Sequence, residues 1–398
     1  MKIGINRPVD GSKPSWWERL TQNPGFTSVS ASVLSILLGL LIGFVILIAI
    51  NAGSAFYGIG QLLTYGLSSL GQVAKILYTT APLMMTGLAV GFAFRAGLFN
   101  IGATGQYTVG AFAAVAVAIL LKFPWWACVL VAMLGGALWG LFPGLFKALF
   151  NVNEVITSIM FNWIALFLCN LIFYNLPDMW YSTSDASRTA AIAMVNPSAL
   201  LPKMGLDTLF NHSSYANIGI FIAILFAVLI FILLEKTTLG YEMKACGFNR
   251  NAGIYAGIKA KRNIVLSMVI SGGLAGVGGA IAYLAGTVPY TISATNLLPM
   301  GFNGIPVALL AFSHPIGIII SSLFIAFLQV GGEGMQPEFS TEMVNIILSV
   351  IIYFSAFALL MRGVISRWLG SKKKKDIVSL VEDDHPVEPP APAPKGVE

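Results

Sequence analysis

Polar side chains that could hydrogen-bond a small solute interrupt an apolar region near residue 100. The stretch RAGLFNIGATGQY (95–107) places Asn100, Gln106 and Tyr107 among three glycines. The two amides donate and accept hydrogen bonds, and the glycines let the backbone bend or approach a neighbour. Because irregular backbone does not face lipid, this stretch must face protein or water. Two interpretations stand side by side: the wall of a transport pathway, and a structural re-entrant turn.

A second set of polar residues recurs at helical spacing. Its members lie at multiples of four residues: Glu154, Ser158, Asn162 and Asn170. They share one slowly turning stripe of a single helix, which is expected to face the interior of a helix bundle. Asn162 is interpreted as path-facing. For Glu154 the favoured interpretation is a first-turn residue stabilised by the helix dipole, and a path-lining carboxylate is the alternative.

Phe302 and Asn303 lie in another interrupted segment, NLLPMGFNGIPVALLAF (296–312). An aromatic ring next to an amide could contact a base or a sugar, and simple packing is the alternative. This segment echoes GLFNIGATGQYTVGAFAAV (97–115), since each is a glycine-interrupted, polar segment within apolar sequence. Paired interruptions of this kind indicate a duplicated transporter whose broken helices meet at the pathway.

No catalytic centre, metal site or nucleotide-binding loop is predicted. No Ser/His/Asp, Cys/His or paired-carboxylate arrangement stands out. The three cysteines and three histidines are scattered, which argues against a disulfide framework and against zinc or haem ligation. No Gly-Lys-Ser/Thr sequence occurs, so the chain has no P-loop of its own. These absences favour a conduit over an enzyme.

Long apolar runs position these segments. The chain is 57% hydrophobic and 10% charged, whereas a soluble domain is about 25% charged. Repeated apolar runs predict an all-α membrane protein with about ten transmembrane helices. We expect two related, inverted repeats with short broken or re-entrant segments. The predicted spans are 33–52, 75–94, 99–121, 125–148, 153–175, 216–234, 264–286, 300–312, 315–332 and 343–361.

The distribution of basic residues predicts the orientation. With both termini in the cytoplasm, only four of the 23 lysines and arginines lie outside, as the positive-inside rule requires. The net charge of +6 therefore indicates topology rather than a nucleic-acid partner. The predicted parts are a cytoplasmic segment 1–32 with an interfacial helix at PSWWERL, a membrane domain 33–361 and a basic, then acidic and Pro-rich, disordered cytoplasmic tail 362–398. Within the membrane domain lie repeat one (75–175), an external segment (177–215), a cytoplasmic loop (235–263) and repeat two (264–361).

Three motifs in order resemble one transporter family: GLFNIGATGQ, NEVITSIMFNWIA and LGYEMKACGFNRNAGIYAGI. Over residues 77–362 the chain is similar to permease subunits of ABC importers of the branched-chain amino acid, ribose and nucleoside type, and the first two motifs look most like the nucleoside subgroup. The resemblance implies a multi-pass permease of a bacterial cell membrane that imports purine or pyrimidine nucleosides by alternating access. The implied partners are an ABC ATPase that binds ATP and Mg²⁺, a second, related permease in a heterodimer, an extracytoplasmic substrate-binding lipoprotein and membrane lipid.

The same resemblance implies that the loop 235–263 contains a coupling helix that docks on the ATPase. The residues carried over to this role are Gly240, Glu242, Lys244, Gly247, Asn249, Ala252, Tyr255, Gly257 and Ile258. The common family pattern is closer to RAVG followed by an Asn-Pro-Glu-Ala-Ala run. This chain departs from that pattern, with Cys246 before Gly247 and with Gly253, which weakens a helix.

Three alternatives remain open at this point. One is an ABC permease for ribose or another sugar. Another is a proton- or sodium-coupled secondary nucleoside or sugar transporter, which suits broken helices equally well. The scarcity of ionisable groups in the membrane, where Glu154 is the main candidate for a proton relay, disfavours it. The third, an intramembrane enzyme or receptor, would need a polar catalytic cluster that the sequence does not offer.

Overall fold

The computed structural model describes residues 24–291, 296–355 and 357. The interfacial helix predicted around Trp16 and Trp17, and the disordered tail predicted over 362–398, lie outside these residues. Fifteen α-helices and three 3-10 helices form the regular structure of the described part. Its only bridges of β type are isolated ones between Tyr181 and Thr189 and between Arg188 and Thr291. The prediction of an all-α membrane protein is confirmed.

The helices are numbered in chain order. They are α1 (Pro24–Asn51), α2 (Ala55–Thr64), α3 (Leu70–Arg95), α4 (Ala103–Leu120), α5 (Trp125–Phe150), α6 (Glu154–Phe173), α7 (Ile192–Val195), α8 (Leu206–Leu209), α9 (Gly219–Lys236), α10 (Thr238–Phe248), α11 (Arg250–Tyr255), α12 (Ala260–Tyr283), α13 (Met300–Leu310), α14 (Pro315–Glu333) and α15 (Thr341–Ser355). The 3-10 helices are Tyr65–Leu67, Asp178–Trp180 and Pro197–Ala199.

Ten of these helices coincide with the ten predicted spans. Eight are long and apolar enough to cross a membrane: α1, α3, α4, α5, α6, α9, α12 and α14. The other two, α13 and α15, are apolar but have only 11 and 15 residues, short of the roughly 20 that a bilayer crossing needs. The sequence did not predict α2, because AFYGIGQLLT is ten residues long and contains two glycines and a glutamine. Such a segment gives no long apolar run.

Helices α3, α4 and α12 form the centre of the molecule, and most of their residues are buried. Helix α12 packs against α5, α4 and α3, whereas α1, α6 and α9 leave most of their surface uncovered. A membrane helix that is apolar all round can face either protein or lipid. The burial pattern therefore identifies α3, α4 and α12 as the internal helices that position the polar segments.

Small residues let α5 and α12 approach each other closely. A methyl group added at Gly136 of α5 would lie 2.3 Å from the carbonyl oxygen of Gly272 in α12. One added at Gly276 would lie 2.2 Å from the carbonyl oxygen of Ala132. Backbone contact at this distance requires glycine on the approaching face. Helices α5 and α12 are thus in backbone contact next to α4.

The segment 177–215 is structured, as its length suggested. Trp180 is fully buried, and Asn196 donates two hydrogen bonds of 2.9 Å to the carbonyl oxygens of Ala118 and Phe123. The backbone N–H of Thr189 donates to the carbonyl of Tyr290. These contacts fasten the segment over the ends of α4 and α12 that lie farthest from the loop 235–263.

Candidate functional site

Three side chains from different parts of the chain form a buried polar group. Asn100 lies in the turn between α3 and α4 (residues 96–102), Gln106 in the first turn of α4, and Ser271 in the middle of α12. The Asn100 amide nitrogen donates to Gln106 Oε1 and to Ser271 Oγ, both at 2.7 Å. Gln106 Nε2 donates back to Asn100 Oδ1 at 3.3 Å, and Ser271 Oγ donates to the carbonyl of Ala89 in α3. The group therefore joins the turn to α3, α4 and α12.

Asn162 of α6 completes this group, and we call Asn100, Gln106, Ser271 and Asn162 the amide cluster. Its Oδ1 accepts a hydrogen bond of 2.8 Å from the backbone N–H of Gly105, and its Nδ2 donates at 3.1 Å to the carbonyl of Ile101. A methyl group at Gly105 would lie 2.9 Å from Asn162 Oδ1, so only glycine leaves room for this contact. The side chain of Asn162 thus faces the bundle interior and bonds to backbone.

The amide cluster is closed to solvent. Asn100, Gln106 and Asn162 are each at most 1% exposed, and Tyr107 is buried next to them in α4. The hydroxyls of Ser158 and Thr104 are also buried, and they have no hydrogen-bond partner among the described residues. An unsatisfied buried hydroxyl costs about 1–3 kcal/mol. The polar group is therefore satisfied at its amides and unsatisfied at these two neighbouring hydroxyls.

Glu154 lies in the first turn of α6, where Asn153 caps the helix by accepting from the N–H of Val155. Its carboxylate forms an ion pair of 2.8 Å with Lys147 at the end of α5. The structure therefore places Glu154 at the turn between α5 and α6, about two helical turns before Asn162. Its role in the path stays a prediction.

Phe302 and Asn303 lie in the first turn of α13, which begins beside the amide cluster. A methyl group at Gly301 would lie 2.3 Å from the Cα of Thr104, so the starts of α13 and α4 are in backbone contact. Phe302 is 36% exposed in the single chain, and Asn303 is half-buried. The two interrupted segments that the sequence singled out are thus brought together, while the contribution of Phe302 and Asn303 stays a prediction.

The loop 235–263 folds into a hairpin of two helices, α10 and α11, which we call the central hairpin (residues 237–257). Thr237 caps α10 by accepting from the N–H of Gly240, and Asn249 caps α11 by accepting from the N–H of Ala252. Each cap satisfies a backbone donor that a helix start leaves free. Gly253 lies inside α11, which has only six residues, and Gly257 follows that helix with a positive φ of 81°.

Polar contacts fix the base of the central hairpin, meaning the part of α10 next to the membrane helices, to α9 and α12. Lys244 forms an ion pair of 3.0 Å with Glu235 at the end of α9. Glu242 accepts a hydrogen bond of 3.1 Å from Asn263 at the start of α12. A methyl group at Gly240 would lie 2.1 Å from the carbonyl oxygen of Leu233, so the sharp turn from α9 into α10 requires glycine. The hairpin is therefore held at its base.

Three aromatic side chains project from the central hairpin. Phe248 is 97% exposed, Tyr255 93% and Tyr241 69%. Large exposed apolar side chains on a polar surface mark an interaction site. Of the three, the sequence had selected only Tyr255. The sequence could also have identified Phe248 and Tyr241 as exposed, since each is an aromatic residue within a charged segment that has no apolar run around it.

Basic groups collect on the side of the membrane that carries the hairpin. Arg95 at the end of α3 donates to the carbonyl of Ser313 at 3.0 Å, and Arg250 of the hairpin donates to the side chain of Asn151. Burial lowers the pKa of His314 on the same side, and the nearby positive charge of Arg95 lowers it further. Among the described residues, no three His, Cys, Asp or Glu side chains converge as metal ligands would.

Residues 72–356, more than two thirds of the chain, match the family described as branched-chain amino acid transport system / permease component. The chain belongs to this permease family. It is accordingly a multi-pass transport subunit rather than an enzyme, and ATP is used by a separate ATPase partner. An ABC permease also works with a substrate-binding protein.

Several curated relatives resemble the permease along most of their length. This chain is 35% identical over 339 residues to the nucleoside ABC transporter permease protein NupB of Lactococcus lactis subsp. cremoris (strain MG1363). The match covers 82% of this chain and 90% of NupB. The chain is 36% identical over 349 residues to the guanosine ABC transporter permease protein NupP of Bacillus subtilis (strain 168), covering 86% and 96%. The glucose ABC transporter permease protein TsgB13 of Haloferax volcanii is 31% identical, covering 83% and 88%.

A second guanosine permease of Bacillus subtilis, NupQ, is less similar, at 26% identity over 272 residues, covering 65% of this chain and 80% of that one. Two permeases of one bacterium thus differ clearly in their similarity to this chain. No solved structure matches the permease significantly.

Proposed function

We propose that this permease carries nucleosides into a bacterial cell, driven by ATP hydrolysis on an ABC ATPase. The observation that carries the proposal is the similarity to NupB and NupP, relatives named for nucleosides and guanosine, over more than four fifths of this chain. A sugar is the second candidate, because TsgB13, named for glucose, is 31% identical over a comparable length.

The central hairpin faces the cytoplasm in this proposal, as do both termini. The basic residues support this orientation: Arg95, Lys147, Lys244 and Arg250 lie on the hairpin side, and cytoplasmic loops carry the excess of Lys and Arg. The structured segment 177–215 then faces outward, where it is available to a lipoprotein that delivers the substrate.

The hairpin is the docking site for the ATPase. Phe248, Tyr255 and Tyr241 supply exposed apolar area, and aromatic residues carry a large share of the binding energy in many interfaces. Residues that the family resemblance implied for coupling stabilise the hairpin around these aromatic side chains. Asn249 caps α11, Gly240 permits the turn from α9 into α10, and Glu242 and Lys244 join the hairpin to the membrane helices. The second permease is a related but different chain, as the NupP and NupQ pair in one organism suggests.

The transport pathway passes between the starts of α4 and α13, beside the amide cluster. The unpartnered hydroxyls of Thr104 and Ser158 and the backbone contact between Thr104 and Gly301 support this location. Phe302 and Asn303 follow Gly301, and Tyr107 lies three residues after Thr104, so all three are within a few residues of the contact between the two helix starts. In this proposal, the burial of the amides of the cluster corresponds to a closed state.

A competition uptake assay tests the substrate class. Cells that express the permease with its ATPase, second permease and binding protein are given labelled guanosine in the presence of unlabelled purine nucleosides, ribose or glucose. Nucleosides are expected to reduce guanosine uptake at least tenfold, while both sugars leave it unchanged. Labelled glucose or ribose uptake that nucleosides do not reduce would replace the nucleoside assignment with the sugar one.

A further inference from the structure

The central hairpin contacts the turn that holds Asn100 and the turn that leads into α6, the helix of Asn162. Against the turn between α3 and α4, a methyl group at Gly247 would lie 2.6 Å from the backbone nitrogen of Gly97. Against the turn between α5 and α6, Arg250 Nη1 donates at 3.3 Å to Asn151 Oδ1. The two turns lead directly into α4 and α6, the helices that hold Gln106 and Asn162. A displacement of the hairpin therefore acts on the first turn through backbone contact and on the second through one exposed hydrogen bond.

The contact between Gly247 and Gly97 is made by backbone alone. Gly97 has a positive φ of 73°, a conformation that favours glycine, and a methyl group there would lie 2.4 Å from the Cα of Gly247. Two backbones in direct contact have no flexible side chain between them to absorb movement. The turn is thus expected to follow α10 closely.

Asn162 connects the turn between α3 and α4 to helix α6. Its amide bonds to Ile101 within the turn between α3 and α4 and to Gly105 just beyond it, although Asn162 itself belongs to α6. Both polar atoms of its side chain are used in these bonds, and the side chain is 1% exposed. An amide engaged in this way is suited to hold backbone in place rather than to bind a passing solute.

From these contacts we infer that Asn162 is a positioning residue for transport. It makes the turn between α3 and α4 move as one body with α6, so that a displacement of the hairpin by the ATPase, which reaches this turn through Gly97, is passed on to α6. From the same turn the bonds of Asn100 to Gln106 and Ser271 extend the connection to α12. The inference rests on the proposed function, in which the hairpin docks on an ABC ATPase.

Hydrogen exchange on the assembled transporter tests this role without any transported solute. The complete complex in lipid nanodiscs is compared with and without ATP and vanadate, and exchange is followed in peptides covering 96–106, 154–165 and 238–255. In the wild type all three peptides are expected to change. In Asn162→Ala the changes in 238–255 and 96–106 remain, and the change in 154–165 falls several-fold. An unaltered change in 154–165, or a parallel loss in all three peptides, would overturn the role of Asn162.

Two further variants separate this role from a loss of folding. Asn175, two residues after the end of α6, is exposed and its side chain donates to the carbonyl of Leu171, so Asn175→Ala is the matched control and is expected to behave like the wild type. If Asn162→Ala does not assemble, Gly247→Ala interrupts the same connection one step earlier, because its methyl group disrupts the backbone contact with Gly97. The change in 238–255 is then expected to remain while the changes in 96–106 and 154–165 both fall, and unaltered responses in those two peptides would also count against the inference.

A transport measurement connects the exchange result to function. In proteoliposomes, Asn162→Ala is expected to raise the amount of ATP hydrolysed per nucleoside imported at least fivefold over Asn175→Ala. An equal fall in hydrolysis and uptake would indicate a purely structural residue and contradict the inference. If the wild type shows the exchange response but imports no nucleoside, the proposed substrate fails while the role of Asn162 stands.

Discussion

Uncharged amides form the polar centre of this protein. Each hydrogen bond between neutral groups contributes about 0.5–1.5 kcal/mol to stability, whereas breaking a buried ion pair costs roughly 3–5 kcal/mol. A reciprocal amide pair such as Asn100 and Gln106 satisfies both partners without charge. A cluster of this kind can hold the closed state and still separate during a conformational cycle. That property suits a transporter better than a permanent ion pair at the same depth.

Gly105 provides a test of the amide cluster at single-residue resolution. Gly105→Ala is expected to push α4 away from α6, because the new methyl group would lie 2.9 Å from Asn162 Oδ1 and 3.0 Å from its Cα. Overpacking of this kind costs about 1–3 kcal/mol. We expect a lower melting temperature of the purified permease and at least tenfold slower nucleoside uptake. Gly60→Ala is the control, since no atom lies within 4 Å of a methyl group there.

Equal melting temperatures and uptake rates for Gly105→Ala and the wild type would show that the contact between α4 and α6 is looser than the structure indicates. A fall in both Gly105→Ala and Gly60→Ala would instead show that the assay responds to any added methyl group.

At the scale of helices, the central hairpin is the element whose sequence and structure agree most closely with a docking role. Its two capped helices are too short to be stable alone, so they depend on the contacts at their base, Lys244 with Glu235 and Glu242 with Asn263. This arrangement leaves the aromatic side chains free to meet a partner. Gly253, which the sequence marked as a weak point, lies within α11 next to Cys246.

The double variant Phe248→Ala/Tyr255→Ala tests the hairpin. Both side chains are more than 90% exposed, so their removal should leave the fold intact. Aromatic anchors at interfaces contribute about 2 kcal/mol or more each. We expect binding of the ATPase to purified permease to weaken at least thirtyfold, measured by biolayer interferometry. Met194→Ala, on an exposed residue of the segment 177–215, is the control and should bind normally.

Retained ATPase affinity in the double variant, with normal uptake, would remove these two aromatic residues from the interface. The docking surface would then have to lie elsewhere on the hairpin side.

The long apolar helices were predictable from sequence, whereas α2 and the side-chain contacts between helices were not. A membrane span needs a long apolar run, and this requirement alone located ten helices to within a few residues at most ends. The four-residue spacing placed Ser158 and Asn162 on a buried stripe, which is local information. The bond between Asn100 and Ser271, by contrast, joins residues 171 positions apart, and no local pattern specifies it. The same holds for the contact of Gly97 with Gly247.

For the whole molecule, the distribution of charge suggests which way the protein crosses the membrane. The hairpin side carries Arg95, Lys244 and Arg250, and the opposite side carries the structured segment 177–215. In the proposed function, this asymmetry puts the ATPase on the hairpin side and the delivering protein on the other. The two-repeat organisation stays a prediction, supported by the contact between the starts of α4 and α13.

Cysteine labelling tests the orientation. Two native cysteines are buried and Cys246 is half-buried, so Cys246→Ser gives a background of low reactivity. In that background, Tyr255→Cys is expected to react with a membrane-impermeant maleimide only in inside-out vesicles, and Met194→Cys only in intact cells or right-side-out vesicles. Labelling with the opposite sidedness would invert the topology and separate the hairpin from a cytoplasmic ATPase.

ATP-dependent uptake in a purified system tests the central claim most directly. The permease, its partner permease and the ATPase are reconstituted in proteoliposomes with ATP inside, and labelled guanosine and the binding protein are added outside. Guanosine should accumulate only when ATP is present, and an uncoupler that dissipates ion gradients should have no effect. Accumulation that proceeds without ATP and collapses with the uncoupler would contradict the assignment and identify an ion-coupled transporter instead.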